Sequence, residues 1–289
     1  MAVGRLRKGE ARTVQRFIFA GRTCVITGAA SGIGAALALE LAKRRAVLAL
    51  VDKDAGGLEQ VAAMAKEVGA ADVSAYPLDL GDGGDRRDLA AEIASRHGGV
   101  DLLINNAGVT LTGTFEQNSI ADVDWLLEIN LHAVVRLTKA FLPQLLSRPG
   151  SHVVNVSSLF GLIAPPGQVA YATSKYAVRG FSEGLRHELA PRGVGVTVVH
   201  PGGIRTNIAA NARISGLDPE GEQAAQARRF AEAALTMPPE EAARQIVAAV
   251  QARRPRLVIT SAAKAGDWLA RLTPVRYWAI SEFVTRRRF

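Results

Sequence analysis

A chain of 289 residues with 48% hydrophobic and 21% charged residues can bury a sizeable core, which excludes bulk disorder. Its single cysteine, Cys24, excludes an intrachain disulfide, and no stretch of roughly 18 uninterrupted apolar residues offers a membrane span. The net charge of +8 sits at the ends, +4 over residues 1–20 and +7 over 253–289, which leaves residues 21–252 at −3. A nucleic-acid binder wants a basic face on its folded body, so this placement speaks against that class.

Residues 1–20 read as a basic arm, disordered in part. Phe17 to Ala20 is too short for the apolar core of a signal peptide, so a cytoplasmic protein is expected. From residue 23 short apolar runs alternate with helical patterns. Strands are predicted at 23–27, 46–51, 73–78, 100–104, 153–156 and 194–199. Helices are predicted at 33–45, 58–68, 88–96, 119–146 and 169–189. Continuous apolar strands alternating with helices describe an α/β fold: a doubly wound, Rossmann-type parallel sheet of about seven strands with helices on both faces. After Pro201 the rhythm breaks. Residues 207–237 are rich in Ala, Gly, Glu and Arg, carry no predicted strand, and are expected to form a lid insertion on the ligand side. A helix at 239–252 and a strand at 257–259 close a catalytic domain of residues 21–261. Residues 262–289 form a basic amphipathic helical tail, interrupted at Pro274. It is expected to pack on the domain or a sister subunit, with contact to an anionic membrane surface as the alternative.

The segment Thr27-Gly28-Ala29-Ala30-Ser31-Gly32-Ile33-Gly34 joins the first strand to its helix. Its glycines permit a tight turn, and their missing side chains let backbone approach a pyrophosphate at a helix N-terminus. The second strand ends on Asp52, eighteen residues after Gly34, where a carboxylate can accept from the adenosine ribose hydroxyls and would repel a 2′-phosphate. NAD is therefore expected ahead of NADP. Lys53 is the opposing feature, although no Arg or Lys occupies residues 29–31. Tyr171 and Lys175 stand four apart on a predicted helix and share one face. A neighbouring ammonium favours the phenolate of a tyrosine and could make it an acid–base group near neutral pH.

These residues resemble the short-chain dehydrogenase/reductase family over about residues 20–260. The same register holds Asp79 after the third strand, Asn105-Asn106-Ala107-Gly108 after the fourth, and Asn130 in the long helix. Asn155-Val156-Ser157-Ser158 follows at the end of the fifth strand, and Pro201-Gly202-Gly203-Ile204-Arg205-Thr206 after the sixth. The resemblance implies an enzyme moving a hydride between a nicotinamide and an alcohol or ketone carbon, with Tyr171 as acid/base. It implies that Ser158 holds the substrate oxygen, that Lys175 also binds the nicotinamide ribose, and that Asn130 holds a water linking Lys175 to solvent. For the cofactor it implies Gly28, Ser31, Gly32, Ile33, Gly34, Asp52 and Lys53 around the phosphates and ribose, and Asp79 and Leu80 at the adenine. Asn106, Ala107, Gly108, Tyr171, Lys175, Pro201, Gly202, Ile204 and Thr206 complete its wall. A homodimer or homotetramer is also implied.

No metal is expected, since His97, His132, His152, His187 and His200 lack ligand spacing. His200 reads as structural, with an approach to the cofactor as the alternative. Leu159, Phe160, Leu162, Ile163, Pro165 and Pro166 point to an apolar substrate that is lipid-, steroid- or aromatic-like. The competing functional classes are a non-catalytic dinucleotide sensor or scaffold and a peripheral membrane binder acting through the tail.

Overall fold

The computed structural model describes residues 16–84, 86–208, 211–214 and 235–286. In chain order its elements are β1 (Thr23–Thr27), α1 (Gly32–Ala42), β2 (Val47–Asp52), α2 (Ala55–Val68), β3 (Asp72–Pro77), α3 (Arg87–His97), β4 (Leu102–Asn105) and β5 (Leu111–Thr112). There follow α4 (Ile120–Leu127), α5 (Ala133–Ser147), β6 (His152–Val156), α6 (Val169–Leu189), β7 (Gly195–Pro201), β8 (Arg213–Ile214), α7 (Pro239–Gln251), β9 (Arg256–Ile259), α8 (Ser261–Leu272) and α9 (Tyr277–Arg286).

One parallel seven-stranded sheet runs β3-β2-β1-β4-β6-β7-β9, the doubly wound arrangement expected. Alternate residues of each inner strand feed opposite cores: Cys24 and Ile26 join Leu37, Leu41, Leu58 and Ile246 on one face, while Val25 joins Ile93, Leu137, Phe141 and Leu189 on the other. Burial on both faces is why these strands read as unbroken apolar runs. Burial, with Asp101 adding to it, pushes the Cys24 thiol far up, so this cysteine is inert. The strand order reverses between β1 and β4, and the crevice at their C-terminal ends is where open α/β sheets bind ligands.

The structure departs from expectation in three places. Residues 207–237 do contain a strand, because Arg213–Ile214 pairs in parallel with Leu111–Thr112. Two residues carry no periodic signal, and Arg213 reads as loop. The remainder of the expected lid, 209–210 and 215–234, lies outside the described residues. Second, the body begins before residue 21: Phe17 and Phe19 are buried in the core, and the Phe17 amide donates to the Gln251 carbonyl at 3.0 Å. The arginines around them masked two core positions; residues 1–15 of the predicted arm lie outside the described residues. Third, the helix expected over 119–146 is interrupted between α4 and α5 by a π turn, Glu128–His132.

The tail packs on the body. Asp267 of α8 is buried and takes a two-pronged bond from Arg256 at 2.7 and 2.9 Å, plus one from Arg271 at 3.1 Å. The Tyr277 hydroxyl accepts from the Ala164 amide at 2.9 Å. Among the described residues no helix is long and apolar enough to cross a membrane.

Candidate active site

The turn from β1 into α1 is shaped by contacts that only glycine permits. Gly28 and Gly32 have φ of +67° and +53°, where side chains are disfavoured. A methyl on Gly28 would stand 2.9 Å from the Ala107 Cα, and one on Gly34 would overlap the Gly28 carbonyl. One on Gly32 would meet the Thr206 methyl at 3.0 Å, so the turn and the segment after β7 face each other. Ser31 precedes α1 in extended conformation and makes no capping bond with its side chain; half-buried Ile33 follows inside the helix. The first turn of α1 carries no acidic residue, so its amides and dipole remain suited to an anion.

Two strands hold that turn in place. Asp52, the last residue of β2, accepts from the Ala30 amide at 2.9 Å and the Asp54 amide at 3.1 Å. Lys53 beside it is exposed. Thr27 clamps β1 to the end of β4: its hydroxyl accepts from the Asn106 and Ala107 amides, both at 3.0 Å, while the Asn106 side chain donates to the Thr27 carbonyl at 2.9 Å. Asp79 caps a short helical turn by accepting from the Gly81 amide at 2.8 Å, and Leu80 is buried there. Pro201 ends β7; the Gly202 amide donates to the Ile259 carbonyl at 3.1 Å, and buried Ile204 bridges to Met237.

Tyr171 and Lys175 lie on the inner face of α6, both buried, with Lys175 Nζ 5.6 Å from the Tyr171 ring centroid. Lys175 Nζ donates to the Val156 carbonyl at 3.2 Å. Burial brings its pKa down to about 8. Burial pushes the Tyr171 phenol up, and the Ser158 hydroxyl facing it pulls it down. Ser158 Oγ accepts from the Phe160 amide at 3.1 Å, which leaves the hydroxyl proton free to point at a ligand. Ser157 serves the scaffold instead. Its hydroxyl donates to the Lys175 carbonyl at 2.8 Å, tying β6 to α6. Phe160 meets the Tyr171 ring edge-on at 6.0 Å, and Leu111, Leu126 and Ala170 complete an apolar cluster around it.

Asn130 sits in the π turn, fully buried. Its Oδ1 accepts from the Val109 amide at 2.8 Å, and Nδ2 donates to the Val109 carbonyl at 2.9 Å and to Ser174 at 3.2 Å. The Asn130 side chain is thus engaged by protein groups. Gly108 separates Asn130 from Lys175, since a methyl there would stand 3.3 Å from both Oδ1 and Nζ.

Comparison with known proteins decides the family. The short chain dehydrogenase family model matches residues 22–215. This chain belongs to the short-chain dehydrogenase family. A Mycobacterium tuberculosis protein named as an oxidoreductase, SadH, is 42% identical over 262 residues, 90% of this chain and 93% of its own. A short-chain dehydrogenase/reductase from Burkholderia phymatum in complex with NAD superimposes with a TM-score of 0.81 at 30% identity, covering 89% of this chain and 95% of that one. One from Burkholderia cenocepacia in complex with NADP gives 0.73 at 29% identity, covering 86% and 100%. This short-chain dehydrogenase is an NAD(P)-dependent oxidoreductase acting on CH–OH groups.

The residues present fit a dinucleotide: the Gly28–Gly34 turn is a backbone cradle that side chains would fill. Sequence reasoning places Thr27 in the turn segment without a role, and it assigns none to Val109 or Ser174, which build the site behind Lys175. Thr27 is a buried polar residue at the C-terminal end of an apolar strand, a signal that could have found its role. A buried amide chain was also missed. Asn105 donates to Asn155 at 2.8 Å and Thr138 at 3.1 Å, and Asn155 donates to Ser182 at 2.9 Å, locking β4, β6, α5 and α6 together. No group of three His, Cys, Asp or Glu among the described residues is placed to hold a metal. The expected apolar substrate loop divides: Leu162 is core, Phe160 faces Tyr171, and Pro165 and Pro166 line a cleft of about 690 Å³ with Tyr176 and Trp278 on the far side of α6.

Proposed function

We propose that this short-chain dehydrogenase interconverts a secondary alcohol and its ketone with Tyr171 as acid–base. The observation that carries the reading is the buried Tyr171 phenol with Lys175 Nζ 5.6 Å from its ring centroid and the Ser158 hydroxyl facing it. Ser158 holds the substrate oxygen within reach of Tyr171. In the oxidative direction Tyr171 accepts the hydroxyl proton; in reduction it returns one. Lys175 lowers the cost of the phenolate, and Asn130 keeps the Val109 backbone and Ser174 fixed behind it. A nicotinamide bound in the crevice supplies the hydride acceptor or donor. Gly28, Gly32, Gly34 and Thr206 would hold its phosphates and ring end, Asp52 the ribose, and Asp79 and Leu80 the adenine.

The supporting feature for an apolar substrate is the cluster of Phe160, Leu111, Leu126 and Ala170 around Tyr171. NAD is the preferred cofactor because Asp52 presents a carboxylate bonded to the turn, while Lys53 is exposed beside it. Tyr171→Phe tests the reading: turnover of a panel of apolar ketones should vanish while NADH still quenches protein fluorescence. NADPH binding more tightly than NADH would overturn the cofactor preference.

A second reading concerns where the enzyme works. One face of α8 and the turn after it exposes Trp268, Leu272 and Val275, at 64, 74 and 92%. Lys264, Arg271 and Arg276 are exposed around them, and the one acid of α8, Asp267, is buried against Arg256. An apolar stripe rimmed by cations suits an anionic lipid surface. Sedimentation with phosphatidylserine vesicles but not phosphatidylcholine vesicles, lost in Trp268→Ser/Leu272→Ser, is the expected result. The outer face of α6, with exposed Val169 and Tyr176, is the proposed contact between copies in a dimer, checked by sedimentation equilibrium.

A further inference from the structure

We infer that His200 is a positioning residue for Ser158, holding the serine's main-chain carbonyl so that its hydroxyl is aimed at Tyr171; the inference rests on the reading of Ser158 given above. His200 lies in β7 beside the end of β6, fully buried. Ser158 follows β6 by two residues and is extended, with φ −163° and ψ 168°. Its carbonyl receives two bonds, from the Gly161 amide at 3.0 Å and from His200 Nδ1 at 3.1 Å. Together they fix the Ser158–Leu159 peptide plane. The Phe160 amide then takes one lone pair of the hydroxyl, and rotation about the Cα–Cβ bond has little freedom left. The serine side chain is aimed from behind, through its backbone.

The choice of histidine follows from the chemistry of that contact. A carbonyl can only accept, so Nδ1 must carry the hydrogen. Burial holds the ring neutral, with a pKa of about 4 to which Arg256 and Arg179 contribute, against the Ser158 carbonyl and Asp267. The Nδ1 donor is therefore present throughout the working range. Nε2 makes no hydrogen bond among the described residues, and an unpaired buried ring nitrogen is costly. Packing alone would favour Leu or Phe at this strand position. The polar contact that offsets the cost is the bond to Ser158.

The test uses Tyr171 itself as the reporter, because the Ser158 hydroxyl lowers its pKa. Phenolate absorbance is titrated in the full chain, with the Tyr171→Phe trace subtracted to remove the other tyrosines. Ser158→Ala should raise the Tyr171 midpoint by about one pH unit, the worth of one hydrogen bond to a charged oxygen. His200→Leu and His200→Gln should raise it in the same direction, since Gln places its nitrogen one atom too far. His200→Asn, whose Nδ2 branches from the same atom as Nδ1, should restore the wild-type midpoint. In Ser158→Ala, adding His200→Leu should shift nothing further. Should Leu not fold, the Asn and Gln pair carries the comparison. A wild-type midpoint in His200→Gln, or an equal shift in the Ser158→Ala background, would overturn the inference. An unshifted midpoint in Ser158→Ala would instead sink the reading of Ser158, and this inference with it.

Discussion

Asn130 and Val109 bond to each other twice, side-chain amide to main-chain amide, in the manner of two paired strands. The asparagine thereby supplies the backbone partners that the chain leaving β4 would otherwise lack, directly behind Lys175. Removing it leaves a buried amide and carbonyl unpaired. Asn130→Ala should cost about 2–4 kcal/mol of stability and depress turnover. Asn130→Asp should be no better, because a carboxylate accepts from Val109 N–H but repels its carbonyl. Urea unfolding alongside initial rates gives both quantities.

Glycines of this chain should divide sharply by what surrounds them. Gly34→Ala would drive a methyl into the Gly28 carbonyl and should cost about 1–3 kcal/mol together with most of the affinity for NADH. Gly180→Ala, in the middle of α6 with nothing within 4 Å, should instead stabilise the protein by about 0.5–1 kcal/mol. Thermal melts and NADH titrations of the two variants form a matched pair.

Lys175 makes the active site a standing cost to the fold. Its pKa of about 8 lies below the ordinary 10.5, so between those values the unfolded chain holds a proton that the folded chain has lost. Stability should therefore rise with pH across this window, by about 3 kcal/mol if no other group intervenes. Below pH 8 the full penalty applies. Lys175→Met should flatten that rise and melt higher than wild type at pH 7 while losing activity. A lower melting temperature for Lys175→Met at pH 7 would count against the account.

The direction of reaction should follow the charge on Tyr171. Burial favours the neutral phenol, which is the acid required for reduction, so ketone reduction should be fastest at neutral or lower pH. Alcohol oxidation should climb as pH rises and the phenolate forms. In Ser158→Ala, which loses the hydroxyl that pulls the pKa down, the oxidative limb should move to higher pH. Rate profiles in both directions from pH 6 to 10 would show it.

Much of the fold and of the site is readable from the chain itself, for identifiable reasons. Strands buried on two faces announce themselves, as Cys24-Val25-Ile26 does, because neither face tolerates polar residues. Gly28, Gly32 and Gly34 are visible because their backbone geometry excludes other residues. Features that depend on distant partners leave no such mark. Phe17 and Phe19 are hidden among arginines, and nothing in Arg213–Ile214 indicates that it will pair with Leu111–Thr112. Asn130 stands out as polar in an apolar helix, but a linear pattern cannot show that its amide is consumed by Val109.

The π turn has a consequence for packing on either side of it. In an unbroken α-helix, Leu126 and Leu137, eleven residues apart, would lie on nearly the same face, since eleven residues make almost three whole turns. Here Leu126 joins the small cluster around Tyr171, whereas Leu137 joins the core beneath the sheet. The extra residue in the wider turn rotates the two halves out of phase. One length of helix can then serve the mouth of the site with its first half and the body of the protein with its second.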